Sequence, residues 1–296
     1  MVIGLAEQTW DGTTYGNSVM HRWLIKLLRG VDIRIVYIFT FVFVIPPCLL
    51  RPGFKPIYHY FRRRWGYGRL KSFVKTYQNH YMFGQVVIDR FAMYAGKKFK
   101  VTIEGYEHFQ QLSDKPEAFL QLSSHIGNYE MAGYLLTSDV KPINALVYYG
   151  EKATVMENRT AMFADKNIRM IPVKADMSHL FLLDQALQKG EVVSMPADRI
   201  FGSQKSLSVK LLGADAKLPL GPFSVATMRG HDVLAVNVMK SSTRSYKVYV
   251  TPLSYDRQAT RQQQMEQLAQ AYVKELERML NMYPTQWYNY YEYWTS

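Results

Sequence analysis

From residue 99 onward, short β-branched or aromatic runs alternate with helix-length stretches, and this alternation constrains the fold more than any other feature. The runs are Phe99–Ile103, Ala118–Leu122, Ile143–Tyr148, Ile168–Pro172, Glu191–Met195, Ser208–Leu212, Val233–Val238 and Lys247–Val250. Helix-length segments lie at 128–137, 151–165, 178–189 and 221–229. Strands and helices that alternate in this way build an α/β sheet with helices on its faces. A long amphipathic stretch at 258–281 and an aromatic tail, Trp287 to Trp294, close the chain. Before the alternation begins, residues 15–95 read as helical. Phe73, Val74, Tyr77, Tyr81, Val87, Ile88 and Phe91 recur close to a 3.6-residue period. The expected plan is a helical region over 1–95 followed by one α/β domain over 96–296.

Charge divides the chain at a similar place. The 296 residues carry a formal charge of +12, and 48% of them are hydrophobic, enough for a sizeable core. Residues 33–88 contain no acid, while Arg34, Arg51, Lys55, Arg62, Arg63, Arg64, Arg69, Lys71 and Lys75 all fall there. The segment opens with an apolar run from Ile35 to Leu50, interrupted by Pro46-Pro47. A spanning helix needs about 20 apolar residues, so this run is short for a crossing. It also starts too late for a signal peptide and lacks a small-residue cleavage site. An element that enters one leaflet, leaving Arg62, Arg63 and Arg64 among anionic headgroups, satisfies both length and charge. The alternative is a buried core helix followed by a solvated basic face. No zinc-finger spacing, ribonucleoprotein motif or basic zipper accompanies the bases, so nucleic acid is not the expected partner.

Among motifs that carry chemistry, GxSxG, Walker A, HExxH and CxxC are all missing. One cysteine, Cys48, excludes an internal disulfide and any zinc site built on several thiolates. What remains is Ser123-Ser124-His125-Ile126-Gly127-Asn128-Tyr129-Glu130, between a strand-like run and a helical stretch. α/β sheets place their ligand sites at that kind of edge. On one continuous helix, five residues turn about 500°, so His125 and Glu130 would not share a face. Gly127 allows a break that lets them meet. Glu130 would then hold the imidazole in one tautomer, and the ring could take a proton from a hydroxyl. A turn histidine that caps a helix, beside a solvated glutamate, fits the same spacing.

This segment resembles the H-x4-D/E motif of the glycerolipid and lipid A acyltransferase superfamily. Its Gly-Asn-aromatic-Glu form is similar to the lipid A late acyltransferase branch. Further blocks agree in order: Glu157-Asn158-Arg159, then Lys189-Gly190-Glu191-Val192-Val193 with Ala197-Asp198-Arg199. Gly213-Ala214-Asp215-Ala216 with Gly221 to Ala226, and the terminal Pro284-Thr285-Gln286-Trp287-Tyr288, complete the resemblance over residues 100–290. Two segments depart from it: the tail is aromatic where basic residues are usual, and the chain opens on Trp10-Asp11-Gly12-Thr13-Thr14-Tyr15-Gly16.

The resemblance implies a mixed β-sheet flanked by helices, with a membrane-associated helical extension at the N-terminus. It implies transfer of a fatty acyl group from a thioester, on acyl carrier protein or CoA, to a hydroxyl of a lipid A precursor or related lipid. His125 would be the general base and Glu130 its orienting partner, with Arg159, Asp198, Arg199 and Asn128 binding substrate. The chemistry requires no metal and no cofactor beyond the acyl donor. Expected partners are acyl carrier protein, a membrane lipid acceptor and an anionic membrane surface, and the expected place is the cytoplasmic face of a bacterial inner membrane. Another bacterial lipid or a lipid-linked pigment as acceptor, and a hydrolase in which His125 activates water, remain open at this point.

Overall fold

The computed structural model describes residues 17–294, except 133–135, 137, 139, 149–152, 164, 165, 175 and 201–204. The Trp10–Gly16 opening lies outside the described residues, as do parts of the helices expected at 128–137 and 151–165.

The N-terminal region is helical, as its periodicity requires. Helix α1 (Ser18–Gly30) starts at Asn17, whose side chain accepts from the Met20 N–H at 2.8 Å. Helix α2 (Ile33–Phe39) starts at Asp32 in the same way and passes through a π-helical turn, Thr40–Val44, into the short α3 (Ile45–Cys48). Pro46 and Pro47 lack the N–H groups that would close α-helical bonds to residues 42 and 43, and the helix widens where they are missing. Helix α4 (Phe54–His59) continues into a second π turn, Tyr60–Arg64, and α5 (Arg69–Tyr94) runs for 26 residues. One cluster made of Ile25, Leu28, Ile33, Val36, Tyr37, Ile88, Phe91 and Ala92 binds α1, α2 and α5 together.

The remaining strands form a seven-stranded sheet in the order β1-β9-β8-β2-β5-β3-β4. These are β1 (Lys100–Glu104), β2 (Phe119–Ser123), β3 (Ile143–Tyr148), β4 (Ile168–Val173), β5 (Val192–Pro196), β8 (Asp232–Ser242) and β9 (Ser245–Leu253). β6 (Ser206–Leu211) and β7 (Ala214–Pro219) pair separately as an antiparallel hairpin. In the large sheet every pairing is parallel except β8 with β9, so β1 and β9 run against the other five strands. The sheet is therefore mixed. Helices α6 (Tyr106–Ser113), α7 (Ala153–Phe163), α8 (Ser178–Gln188), α9 (Leu220–Met228) and α10 (Arg261–Met282) complete the described elements. α10 begins at a reciprocal Thr260–Gln263 capping box.

Side-chain alternation explains why both faces are covered. Leu120, Leu122, Val193, Met195, Val233 and Ala235 join the core that α10 seals with Leu268, Tyr272, Leu276 and Leu280. Their neighbours Phe119, Val192, Leu234, Val236 and Val238 face a second core with Phe109, Val248 and Val250. A strand apolar on both faces must be buried on both. Tyr60, Phe61 and Ile57 of the N-terminal region belong to the first core, so that region packs into the sheet domain.

A buried ion pair fastens the two regions. Lys240 of β8 and Asp89 of α5 are paired with side chains about fully buried (1% and 0% exposed), and Tyr37 of α2 and Tyr246 of β9 donate to the same carboxylate. Removing one partner of a buried pair strands the other charge, at a cost of about 3–5 kcal/mol. Lys240→Met should lose stability on that scale in urea unfolding. Lys240→Met/Asp89→Leu should lose markedly less than the two single substitutions summed, and strict additivity would overturn this account of the pair.

Candidate active site

His125 and Asp198 meet because two parallel strands stay in register. Ser123, the last residue of β2, pairs with Pro196, the last residue of β5, and the Ala197 N–H donates to the Ser123 carbonyl at 3.0 Å. Two residues further along each chain stand His125 and Asp198. The His125 Nδ1 lies 2.7 Å from Asp198 Oδ1, and the His125 backbone N–H donates to Oδ2 at 2.9 Å. Both carboxylate oxygens are thus committed to one residue. With Nδ1 held by Asp198, proton exchange with a substrate would run through the other ring nitrogen, Nε2.

The turn from Ser124 to Asn128 is pinned along its length. Ser124 hydrogen-bonds Tyr272 at 2.7 Å, and the Tyr272 hydroxyl donates to the Ser123 carbonyl at 3.0 Å. Ile126 bridges to Trp287, the Gly127 N–H donates to the Gln286 carbonyl at 2.8 Å, and the Asn128 N–H to the Val238 carbonyl at 2.7 Å. Gly127 has φ +54°, and a Cβ there would sit 2.0 Å from the Val238 carbonyl oxygen. Only glycine fits that approach.

The expected pairing of Glu130 with His125 is replaced by another. Glu130 sits on a short 3₁₀ turn, Tyr129–Met131, and its Oε1 accepts from Arg159 at 2.7 Å while Oε2 lies 3.1 Å from Arg90. The physical reason is local: the 3₁₀ turn carries the carboxylate toward α5 and α7, whereas the β2–β5 register has already filled the Nδ1 position with Asp198. Arg90 carried a signal in the sequence, an adjacent Asp89-Arg90 pair set among the apolar residues Val86, Val87, Ile88, Phe91 and Ala92. Arg159 is brought to this cluster, and Arg199 stands close enough to the His125–Asp198 pair to act on both electrostatically. Arg199 Nε donates to Asn289 Oδ1 at 2.7 Å and Nη2 to the Tyr288 carbonyl at 2.6 Å. Asn128, expected to touch substrate, is 2% exposed, and its amide donates to the Tyr246 hydroxyl at 3.4 Å. It anchors the loop. Arg62 donates to the Tyr67 carbonyl, Arg63 is exposed, and Arg64 stacks on Trp294 at 4.8 Å. None of these three lies at His125. Among the described residues no group of three or more His, Cys, Asp or Glu is arranged to hold a metal ion.

Electrostatics suit the histidine to act as a base. Burial lowers its pKa and the Arg199 charge lowers it further, outweighing the opposite pull of Asp198, so the ring rests neutral near pH 7. Burial raises the Asp198 carboxyl, but His125 and Arg199 outweigh burial and hold it below the usual range. Glu130 is likewise raised by burial and brought below its usual range by Arg159 and Arg90.

The two carboxylates can be told apart by their effect on titration. The neutral imidazole is active, so kcat/KM should fall only as pH drops below the usual histidine value near 6.5. Asp198→Asn removes a charge that favours imidazolium and should push this acid limb lower, while reducing kcat by about 10²–10⁴-fold. Arg199→Gln should raise the limb. Glu130→Gln should lower activity and leave the limb in place. A limb that moves with Glu130→Gln and ignores Asp198→Asn would restore the Glu130–His125 pairing.

The family model described as bacterial lipid A biosynthesis acyltransferase matches residues 75–295, and those residues include His125, Glu130, Arg159 and Asp198. No curated protein sequence matches the chain. Among solved structures, the 1-acyl-sn-glycerophosphate (LPA) acyltransferase PlsC from Thermotoga maritima is similar over 91% of this chain and 98% of its own, at 14% identity and a TM-score of 0.37. The family match covers most of the chain, and so the protein belongs to the bacterial lipid A biosynthesis acyltransferases and is a lipid acyltransferase.

Proposed function

We propose that the protein is a membrane-surface O-acyltransferase that moves a fatty acyl group from a thioester, on acyl carrier protein or CoA, to a hydroxyl of a lipid A precursor or a related lipid. The observation that carries this reading is the neutral His125, held through Nδ1 by the buried carboxylate of Asp198 at 2.7 Å. The acceptor hydroxyl oxygen attacks the thioester carbonyl carbon as its proton passes to Nε2. The negative charge that builds on the carbonyl oxygen is favoured by nearby cations, of which Arg199 is the one that acts electrostatically on His125. When the carbon–sulfur bond breaks, the imidazolium returns the proton to the thiolate. The products are an ester and a free thiol. Asp198 stabilises the transient imidazolium, as a buried carboxylate on Nδ1 does in acyl-transfer triads.

Seating on a membrane follows from the N-terminal surface. Trp23, Ile38, Phe43, Leu50 and Leu70 are each at least 64% exposed, and Ile35, Phe39, Phe41, Val42, Phe73 and Val74 join them. An apolar surface of that extent marks an interaction site. The sixteen residues from Ile33 to Cys48 extend about 24 Å, less than the ~30 Å hydrocarbon core. No helix among the described residues is long and apolar enough to cross a membrane. This surface dips into one leaflet, and the basic residues beside it favour the anionic, cytoplasmic side of a bacterial inner membrane.

Purified protein given acyl carrier protein charged with labelled fatty acid should pass the label to extracted lipid. Label recovered as free fatty acid would sink transfer in favour of hydrolysis, and a donor preference for CoA would reassign the carrier. His125→Ala should abolish incorporation. Phe41→Asp/Phe43→Asp should move the protein from the vesicle pellet to the supernatant while leaving its melting temperature within a few degrees. Unchanged sedimentation would remove this surface as the anchor.

A further inference from the structure

A cleft between the α4–π segment and the C-terminal tail has the makings of a second binding site. Its lining includes Tyr60, Arg63, Arg64, Trp287, Asn289 and Tyr291. The floor is aromatic: Tyr60 stacks on Trp294 at 6.0 Å with planes 9° apart, and Trp287 meets Tyr60 edge-on at 5.3 Å. The rim is cationic. Arg63 is exposed, and Arg64 lies over Trp294 at 4.8 Å. The carboxylate in the lining, Glu292, lies 2.9 Å from Nδ1 of His59.

In this lining Trp287 Nε1, Asn289 Nδ2 and Tyr291 Oη are buried and without a hydrogen-bond partner among the described residues. Trp287 and Asn289 are 1% and 3% exposed. Each of the three can donate, and a buried donor left unpaired is costly. Two arginines at the rim, unpaired donors in the walls and an aromatic floor fit an anionic group carried on an amphiphile.

The surroundings favour a lipid as the carrier of that anion. The segment that forms one wall lies between the exposed apolar residues Leu50 and Leu70, and Phe54 at its start contacts Phe73 at 6.0 Å. The other wall leads to the chemistry. Asn289 accepts from Arg199, the Tyr293 hydroxyl donates to the Asp198 carbonyl at 2.8 Å, and Trp287 bridges to Ile126 beside His125. One tail therefore lines the cleft and buttresses the catalytic pair.

We propose that this cleft binds the phosphate of a membrane lipid headgroup and so seats the acceptor for reaction at His125. The proposal rests on the acyltransferase reading for the acceptor's role, while phosphate binding itself requires no turnover. Calorimetry on the full chain with dihexanoylphosphatidic acid below its micellar concentration tests it, with inorganic phosphate, phosphopantetheine and dihexanoylglycerol as the other probes. Dihexanoylphosphatidic acid should bind most tightly, inorganic phosphate more weakly, and the phosphate-free dihexanoylglycerol not measurably. Arg63→Glu, at an exposed position that should fold normally, should weaken the lipid probe by at least about tenfold, with Arg63→Gln intermediate. In acyl transfer, Arg63→Glu should raise KM for a phosphorylated acceptor and leave the acid limb of the pH profile unmoved. Equal binding by dihexanoylglycerol, tighter binding by phosphopantetheine, or indifference to Arg63→Glu would each overturn the proposal. Acyl transfer that persists with unchanged acceptor KM in Arg63→Glu removes the cleft and leaves the acyltransferase reading intact. Arg63-dependent phosphate binding without any acyl transfer does the reverse.

Discussion

The in-register parallel pairing of β2 with β5 is the constraint on which the site depends. Residues 123 and 196 end their strands side by side, so the residues two positions beyond, His125 and Asp198, emerge together although 73 residues separate them in sequence. A one-residue slip would carry Asp198 away from the ring and turn the apolar faces of the strand toward the wrong core. The same alternation that buries Leu120 and Val193 on one face and Phe119 and Val192 on the other therefore also fixes the His125–Asp198 geometry. Packing and chemistry share one register.

Charge is distributed over two buried carboxylates with different tasks. Asp198 spends both oxygens on His125 and controls its tautomer and titration. Glu130 spends both on arginines, and so holds α5, α7 and the catalytic loop in one arrangement. A charged cluster of this kind specifies geometry more than it adds stability, because desolvating three ionised groups offsets most of their attraction. The Lys240–Asp89 pair plays a comparable part between the N-terminal helices and β8, and its partner Tyr246 also meets Asn128 of the catalytic loop. The helices that carry the exposed apolar surface are thereby tied to the loop that carries the histidine.

The C-terminal tail connects the remaining features. Gln286, Trp287 and Tyr288 hold the His125 loop through backbone contacts, Asn289 and Tyr288 hold Arg199, and Tyr293 holds Asp198. Its aromatic composition, unusual beside the basic tails of the resembling family, supplies the rings that close the core against Tyr60 and Phe61. A basic tail could not occupy that buried position without partners for its charges.

Much of the fold was legible in the sequence because hydrophobic period reports local geometry directly. All eight strand-like runs correspond to strands, with ends displaced by a few residues, and the 3.6-residue pattern at 71–95 and 258–281 corresponds to α5 and α10. β7 alternates strictly from Ala214 to Leu218 but lacks the β-branched or aromatic side chains that mark the other strands, and α6 is short. The motif located His125, and the resemblance located Arg159, Asp198 and Arg199. What sequence could not assign was which carboxylate faces the imidazole. Spacing along the chain favoured Glu130, five residues away, since proximity in sequence is the only proximity a sequence displays. The partner is chosen by strand register and by the direction of a 3₁₀ turn, both of which depend on contacts between distant segments. The sequence alone thus determined the alternating core, the basic apolar-flanked N-terminal region and the position of the candidate base His125, while the tertiary structure decided that Asp198 holds its ring and Glu130 binds arginine.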